Sequence, residues 1–136
     1  MIVNVVEEGT GFPWHFDTNN FAVRLAIQNG EAGDMFKQAP GLRSAENECF
    51  HAVADVLDGW SDRVQAINLV PGDLQIFKGR YSLHRVTPVT GPQRRYVEIF
   101  PFSKQRAWLA VWKAQGNYVR GYCRSNWSTP AFGVTA

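Results

Sequence analysis

Pro71-Gly-Asp-Leu-Gln-Ile-Phe-Lys-Gly-Arg-Tyr-Ser-Leu-His-Arg-Val86 alternates breakers with short apolar runs. Pro71-Gly72-Asp73 supplies turn chemistry, Leu74 to Phe77 has the length of a strand, Lys78-Gly79-Arg80 turns again, and Tyr81 to Val86 resumes extended chain. Downstream, Thr90-Gly91-Pro92 marks another turn and Arg95 to Phe100 a final strand. Upstream, Val64 to Leu69 reads the same way. Near the start, residues 2–7 are rich in β-branched side chains and run into the breaker-rich loop Glu8-Gly-Thr-Gly-Phe-Pro13. Trp14 to Asp17 opens the next extended piece. Phe21 to Ile27 alternates as a half-buried strand closed by Asn29-Gly30, and Asp34 to Lys37 forms a short one. Short strands punctuated in this way predict a mainly β sandwich or barrel. The count of eight is that of a double-sheet jelly roll, the cupin-like double-stranded β-helix.

One segment changes period. Ser44-Ala-Glu-Asn-Glu48 offers an N-cap serine and acidic residues for a first turn. Phe50, Val53, Ala54 and Leu57 follow at helical spacing, and Asp58-Gly59 ends the run. One inserted helix of about three turns is predicted. His51 falls off the apolar stripe and reads as a surface residue.

Composition excludes several classes. At 136 residues, 45% of them hydrophobic and 19% charged, the chain suffices for one domain with a core of its own. Its net charge of +2 and dispersed basic residues argue against a nucleic-acid partner. Cys49 and Cys123 have no paired spacing and read as free thiols of a reducing compartment. No apolar run spans a membrane, and the opening residues are too short a run for a signal peptide, so a cytoplasmic location is expected.

The residues that carry chemistry are His15, Asp17, His84 and Arg95. Two imidazoles and a carboxylate can occupy one face of an octahedral ferrous ion and leave three positions open. His15 and Asp17 are two apart, so on an extended strand both would point to one side. Read alone, the His-Phe-Asp triplet fits an ordinary packed or exposed strand as well as a metal site. For Arg95 the parity of its strand favours an inward side chain, against the alternative of a solvated Arg94-Arg95 pair at the turn. With Arg95 inward, Val97 and Ile99 face the interior and Glu98 faces out; with Arg94 inward, Glu98 would be buried unpaired. Cys49 and His51 form no nucleophile–base motif, and Gly9-Thr-Gly-Phe-Pro13 lacks the lysine of a phosphate loop. Trp14, Phe16 and Phe21 are pocket walls or core.

Three stretches and one arginine resemble a known family: Trp14 to Phe21, Ala39 to Ser44, Pro71 to Val89, and Arg95. They are similar to bacterial Fe(II)/2-oxoglutarate-dependent oxygenases of the jelly-roll class, in the subgroup that holds hydroxylases and amino-acid halogenases. The resemblance runs from about residue 2 to about residue 105. It implies that His15, Asp17 and His84 hold Fe(II), that Arg95 grips the distal carboxylate of the co-substrate 2-oxoglutarate, and that a small substrate reacts with dioxygen. Halogenases of this family lack the carboxylate ligand so that halide can bind, so Asp17 points to hydroxylation. Arg43 stands where it could grip a substrate carboxylate, or it is a surface arginine.

Two departures follow. The family carries a long helical segment before the first strand, buttressing one sheet, and this chain begins without it. Residues 1–105 are therefore expected to form the oxygenase core, and 106–136 a divergent tail. Back-translating Arg106 to Asn117 and shifting by two bases yields a tail like that of these oxygenases, and the obligatory codons of Trp108 and Trp112 fit that frame. A frame-shifted tail would leave Trp108, Trp112 and Trp127 loosely packed and open to proteolysis after about Lys104. Two other readings stay open, a metal-free binding module on the same fold and a truncated, inactive oxygenase.

Overall fold

The computed structural model describes residues 2–102, with the backbone of 109–114 and 117–122. In chain order the elements are β1 (Ile2–Val6), β2 (Phe12–His15), β3 (Phe21–Gln28), β4 (Ala32–Gly33), β5 (Phe36–Ala39), α1 (Phe50–Leu57), β6 (Gln65–Ile67), β7 (Leu74–Phe77), β8 (Leu83–Val86), β9 (Val89–Thr90), β10 (Arg95–Phe102), β11 (Leu109–Ala114) and β12 (Asn117–Tyr122). Two four-stranded antiparallel sheets, ordered β1-β10-β3-β7 and β2-β8-β5-β6, make up the body. Their eight strands are the eight expected, in a mainly β, jelly-roll architecture. The short β4–β9 pair joins two connections, and β11 and β12 form a hairpin of their own. The loose tryptophans expected in the tail lie outside the residues whose side chains are described.

The core lies between the sheets. Ala22, Phe36, Phe77 and Val86 form one apolar cluster; Ala39, Leu42, Val56 and Leu83 form another, with Trp14 and Phe16 against it. Strand β3 turns a surprising face inward. Its large apolar residues alternate as Phe21, Val23, Leu25 and Ile27, yet the buried parity is Ala22, Arg24 and Ala26. A charged side chain flanked by two alanines therefore faces the opposite sheet.

The helix begins later than expected. Ser44 accepts hydrogen bonds from the backbone N–H groups of Glu46 and Asn47 (3.2 and 3.1 Å), which closes a local turn. The helix starts at Phe50 after Cys49, in left-handed conformation (φ 50°), with no side-chain cap. Eight residues remain, about two turns. Its buried side is also displaced: Ala52, Val53 and Val56 pack on the second cluster, whereas Phe50 and Leu57 are exposed.

The outer face of the β1-β10-β3-β7 sheet carries Val3, Val5, Ile27, Leu74 and Ile76, all exposed. Among the described residues no helix is long and apolar enough to cross a membrane.

Candidate metal centre

His15 closes β2 and His84 lies within β8, and the two are directly paired across the antiparallel ladder. Directly opposite residues project to the same face, and the rings stand 4.2 Å apart between centroids. Each imidazole is oriented by its own strand. The Nδ1 of His15 lies 2.7 Å from the carbonyl oxygen of Pro13, and that of His84 lies 2.8 Å from the carbonyl oxygen of Ser82. A carbonyl can only accept, so both Nδ1 atoms carry the proton and Nε2 is the lone-pair side of each ring. Both Nε2 atoms face Asp17, at 3.8 Å for His15 and 3.5 Å for His84 from Oδ1.

Asp17 reaches this position by a route that strand spacing does not supply. Strand β2 ends at His15, and Asp17 lies in the loop beyond it. Its backbone N–H donates to the carbonyl of Gly79 (3.0 Å), so the turn between β7 and β8 fixes it. A Cβ at residue 79 would collide with the Asp17 carboxylate, which explains the glycine there.

The three ligand atoms lie within 4.8 Å of one another, close enough to hold one metal ion. Asp17 Oδ2 is buried without a hydrogen-bond partner among the described residues. A carboxylate oxygen left this way costs stability unless a cation meets it. Two Nε2 donors, held by backbone carbonyls in the tautomer that metal ligation needs, and one orphaned carboxylate suit a first-row divalent ion. Burial, then the neighbouring His84, push the His15 imidazole below its ordinary range, with the Pro13 carbonyl and Asp17 pulling the other way. The net effect keeps His15 in the neutral form a metal requires. Phe77 and Phe36 wall His84, with ring centroids 4.9 and 5.7 Å away.

Arg95 is buried and Arg94 is exposed, paired with Glu7 at 3.0 Å. Val97 and Ile99 are buried alongside Arg95. Arg95 lines the same pocket as the three ligands, with its Nε 3.5 Å from Asp34 Oδ2. Burial pushes its guanidinium down from its ordinary value, and Asp34 opposes this. Asp34 has a positive φ of 43°, and its carboxylate also accepts from the N–H of Gly30 at 3.0 Å. Arg43 lies apart from that pocket lining. Its guanidinium packs on the Phe16 ring at 3.9 Å, pairs with Glu48 at 2.7 Å and donates from Nε to the Arg80 carbonyl at 2.7 Å. Cys49 is a free thiol and His51 is exposed on the helix; Cys123 lies outside the described residues.

One residue of the pocket was not anticipated. Arg24 is 5% exposed, and its guanidinium carbon sits 3.7 Å from the Phe36 ring centroid and 4.7 Å from that of Phe77. Its Nη2 donates to Gln75 Oε1, while its Nε is buried without a partner among the described residues. Burial first, then Arg95, push its pKa down to about 9, with Asp17 opposing. The group is still a cation at neutral pH.

The fold is a mainly β jelly roll in which two histidines and an aspartate converge in an arrangement that could hold a metal ion. The model of the halogenase D family matches residues 1–116. The chain belongs to that family, and the match reaches beyond the expected limit near residue 105 into the tail. No curated protein matches the chain.

Proposed function

We propose that the chain is an Fe(II)/2-oxoglutarate-dependent oxygenase that hydroxylates a small, amino-acid-like substrate. The observation that carries this reading is Asp17: a buried carboxylate whose Oδ1 lies within 3.8 Å of both histidine Nε2 atoms completes a three-ligand face. When bound, ferrous iron supplies the oxidising chemistry, consuming 2-oxoglutarate and dioxygen, releasing succinate and carbon dioxide, and passing one oxygen atom to substrate. His15, Asp17 and His84 would hold the metal. Arg95 would grip the far carboxylate of 2-oxoglutarate. Phe77, Phe36 and the apolar clusters keep water from that end of the pocket. Arg43, stacked on Phe16 and paired with Glu48 outside that pocket's lining, is the candidate for gripping a substrate carboxylate, with a surface role as the alternative. The partners on this reading are dioxygen and a small molecule, with no nucleic acid or membrane, in the cytoplasm. For residues 106–136 the shifted-frame reading stands against a family match that runs to residue 116, and the coding nucleotide sequence decides between them.

The family description favours a second outcome, halogenation, which needs a metal position that no carboxylate fills. Adding Fe(II) and 2-oxoglutarate anaerobically, then air and candidate amino acids with chloride present, separates these. Hydroxylation predicts a visible charge-transfer band, then succinate and a product heavier by one oxygen atom. A chlorinated product overturns hydroxylation. No band and no succinate from a monodisperse protein overturns the enzyme reading in favour of a binding module, and an aggregated protein favours the truncated fragment.

A further inference from the structure

A buried arginine with an unpaired nitrogen is an expensive thing to keep. Arg24 is the charge on the inward face of β3, and Ala22 and Ala26 on either side leave room for its side chain. Phe36 and Phe77 pack against its guanidinium, Gln75 takes one N–H, and Nε points at nothing among the described residues. It lines the same pocket as His15, Asp17, His84 and Arg95. A fork of donors fixed in place, desolvated and left partly unused is arranged to receive an anion.

The charges at this pocket say which anion. The cations Arg24 and Arg95 and the anion Asp17 line it, the anion Asp34 meets Arg95 from the adjoining pocket, and metal-bound imidazoles are neutral. The protein groups therefore balance. A divalent ion held by His15, Asp17 and His84 would leave two positive charges uncompensated in a desolvated site. A dianion restores the balance, whereas a monoanion leaves one positive charge buried.

We propose that Arg24 is a second anion-binding guanidinium, acting with Arg95, and that it makes the pocket select a doubly charged keto dicarboxylate over a singly charged keto acid. The inference rests on the proposed use of 2-oxoglutarate and adds a specificity-determining residue to it. Without Arg24 the metal-loaded pocket would carry one surplus positive charge, which suits a monoanion.

The test uses Mn(II)-loaded protein, which binds without turnover, and calorimetric titration with 2-oxoglutarate and with 2-oxobutyrate. Wild type should prefer 2-oxoglutarate. In Arg24→Met the affinity for 2-oxoglutarate should fall roughly 30-fold or more, that for 2-oxobutyrate should change far less, and Mn(II) affinity should hold or rise because a nearby cation is gone. A purely structural arginine would instead leave the preference between the two keto acids unchanged. Arg24→Gln gives the same comparison should the methionine variant not fold. Equal loss of both keto acids, or no loss of 2-oxoglutarate, overturns the proposal while leaving the oxygenase reading intact. If wild type ignores 2-oxoglutarate but binds another dianion such as succinate through Arg24, the co-substrate reading fails and the two-guanidinium receptor stands. Binding of neither anion overturns both.

Discussion

The Asp17 carboxylate lies directly over Gly79, where any Cβ would collide with it, and the Asp17 N–H donates to the Gly79 carbonyl at 3.0 Å. A candidate metal ligand is thus positioned by a turn far away in sequence. Gly79→Ala should displace the carboxylate while leaving both histidines paired across β2 and β8. Disturbing such a supporting contact costs about 10–100-fold in metal affinity. Co(II) titration followed by its visible absorption is the check, with circular dichroism confirming the sheets. An alanine variant that binds Co(II) as wild type does would remove the turn from the site's construction.

The three ligands should behave as one site. A ferrous ion held only by the folded arrangement should, at a hundred times its dissociation constant, add about 2.7 kcal/mol to the stability of wild type. His84→Ala and Asp17→Ala should lose that increment and show no tight site in an anaerobic titration. The outcome that sinks the assignment is a His84→Ala protein that is stabilised by iron as much as wild type.

Arg94 and Arg95 are neighbours with opposite fates, and exchange of their roles is the sharpest control on the co-substrate grip. Arg94 is a surface residue paired with Glu7, an arrangement worth about 1 kcal/mol or less. Arg95 is buried beside Asp34. Arg95→Leu should weaken 2-oxoglutarate by about 2–5 kcal/mol, as loss of one partner of a buried charge pair does, and keep the metal. Arg94→Leu should do little to either. Calorimetry on the two variants ranks them, and the reverse order would transfer the grip to Arg94.

What was legible in the sequence was whatever rests on local pattern. Turn dipeptides such as Pro71-Gly72 and Asn29-Gly30 mark the strands, and the Arg95-Val97-Ile99 parity points to the inward face of β10, where all three are buried. What escaped rests on contacts between distant segments. Asp17 is held through its N–H by the Gly79 turn of a distant connection, so its direction could not follow from strand alternation. Ser44 matched a helix cap by type, yet Glu46 and Asn47 use it to close a turn, and the helix waits until Phe50. Arg24 was hidden by the opposite parity of β3, because Phe21, Val23, Leu25 and Ile27 read as the core face. The usable signal was its setting: an arginine between two alanines on one face has room only if a cavity lies before it.

That same inversion leaves apolar residues on the outside, and their exposure has a measurable consequence. Leu74 and Ile76 are 60% and 64% exposed on β7, which is the edge strand of its sheet, next to the exposed Ile27 of β3. An apolar edge of this kind binds hydrophobic dyes and promotes strand-to-strand association. Replacing both with threonine keeps β propensity while removing apolar surface. The double variant should bind less anilinonaphthalene sulfonate and stay monodisperse to higher concentration. Its stability should change by less than about 0.5 kcal/mol per site, as for surface positions generally. Metal affinity should not move, because neither side chain lines the pocket of His15, Asp17 and His84. Dye fluorescence, light scattering and a melting curve on one pair of proteins suffice, and a large loss of stability would mean that this face is packed in solution.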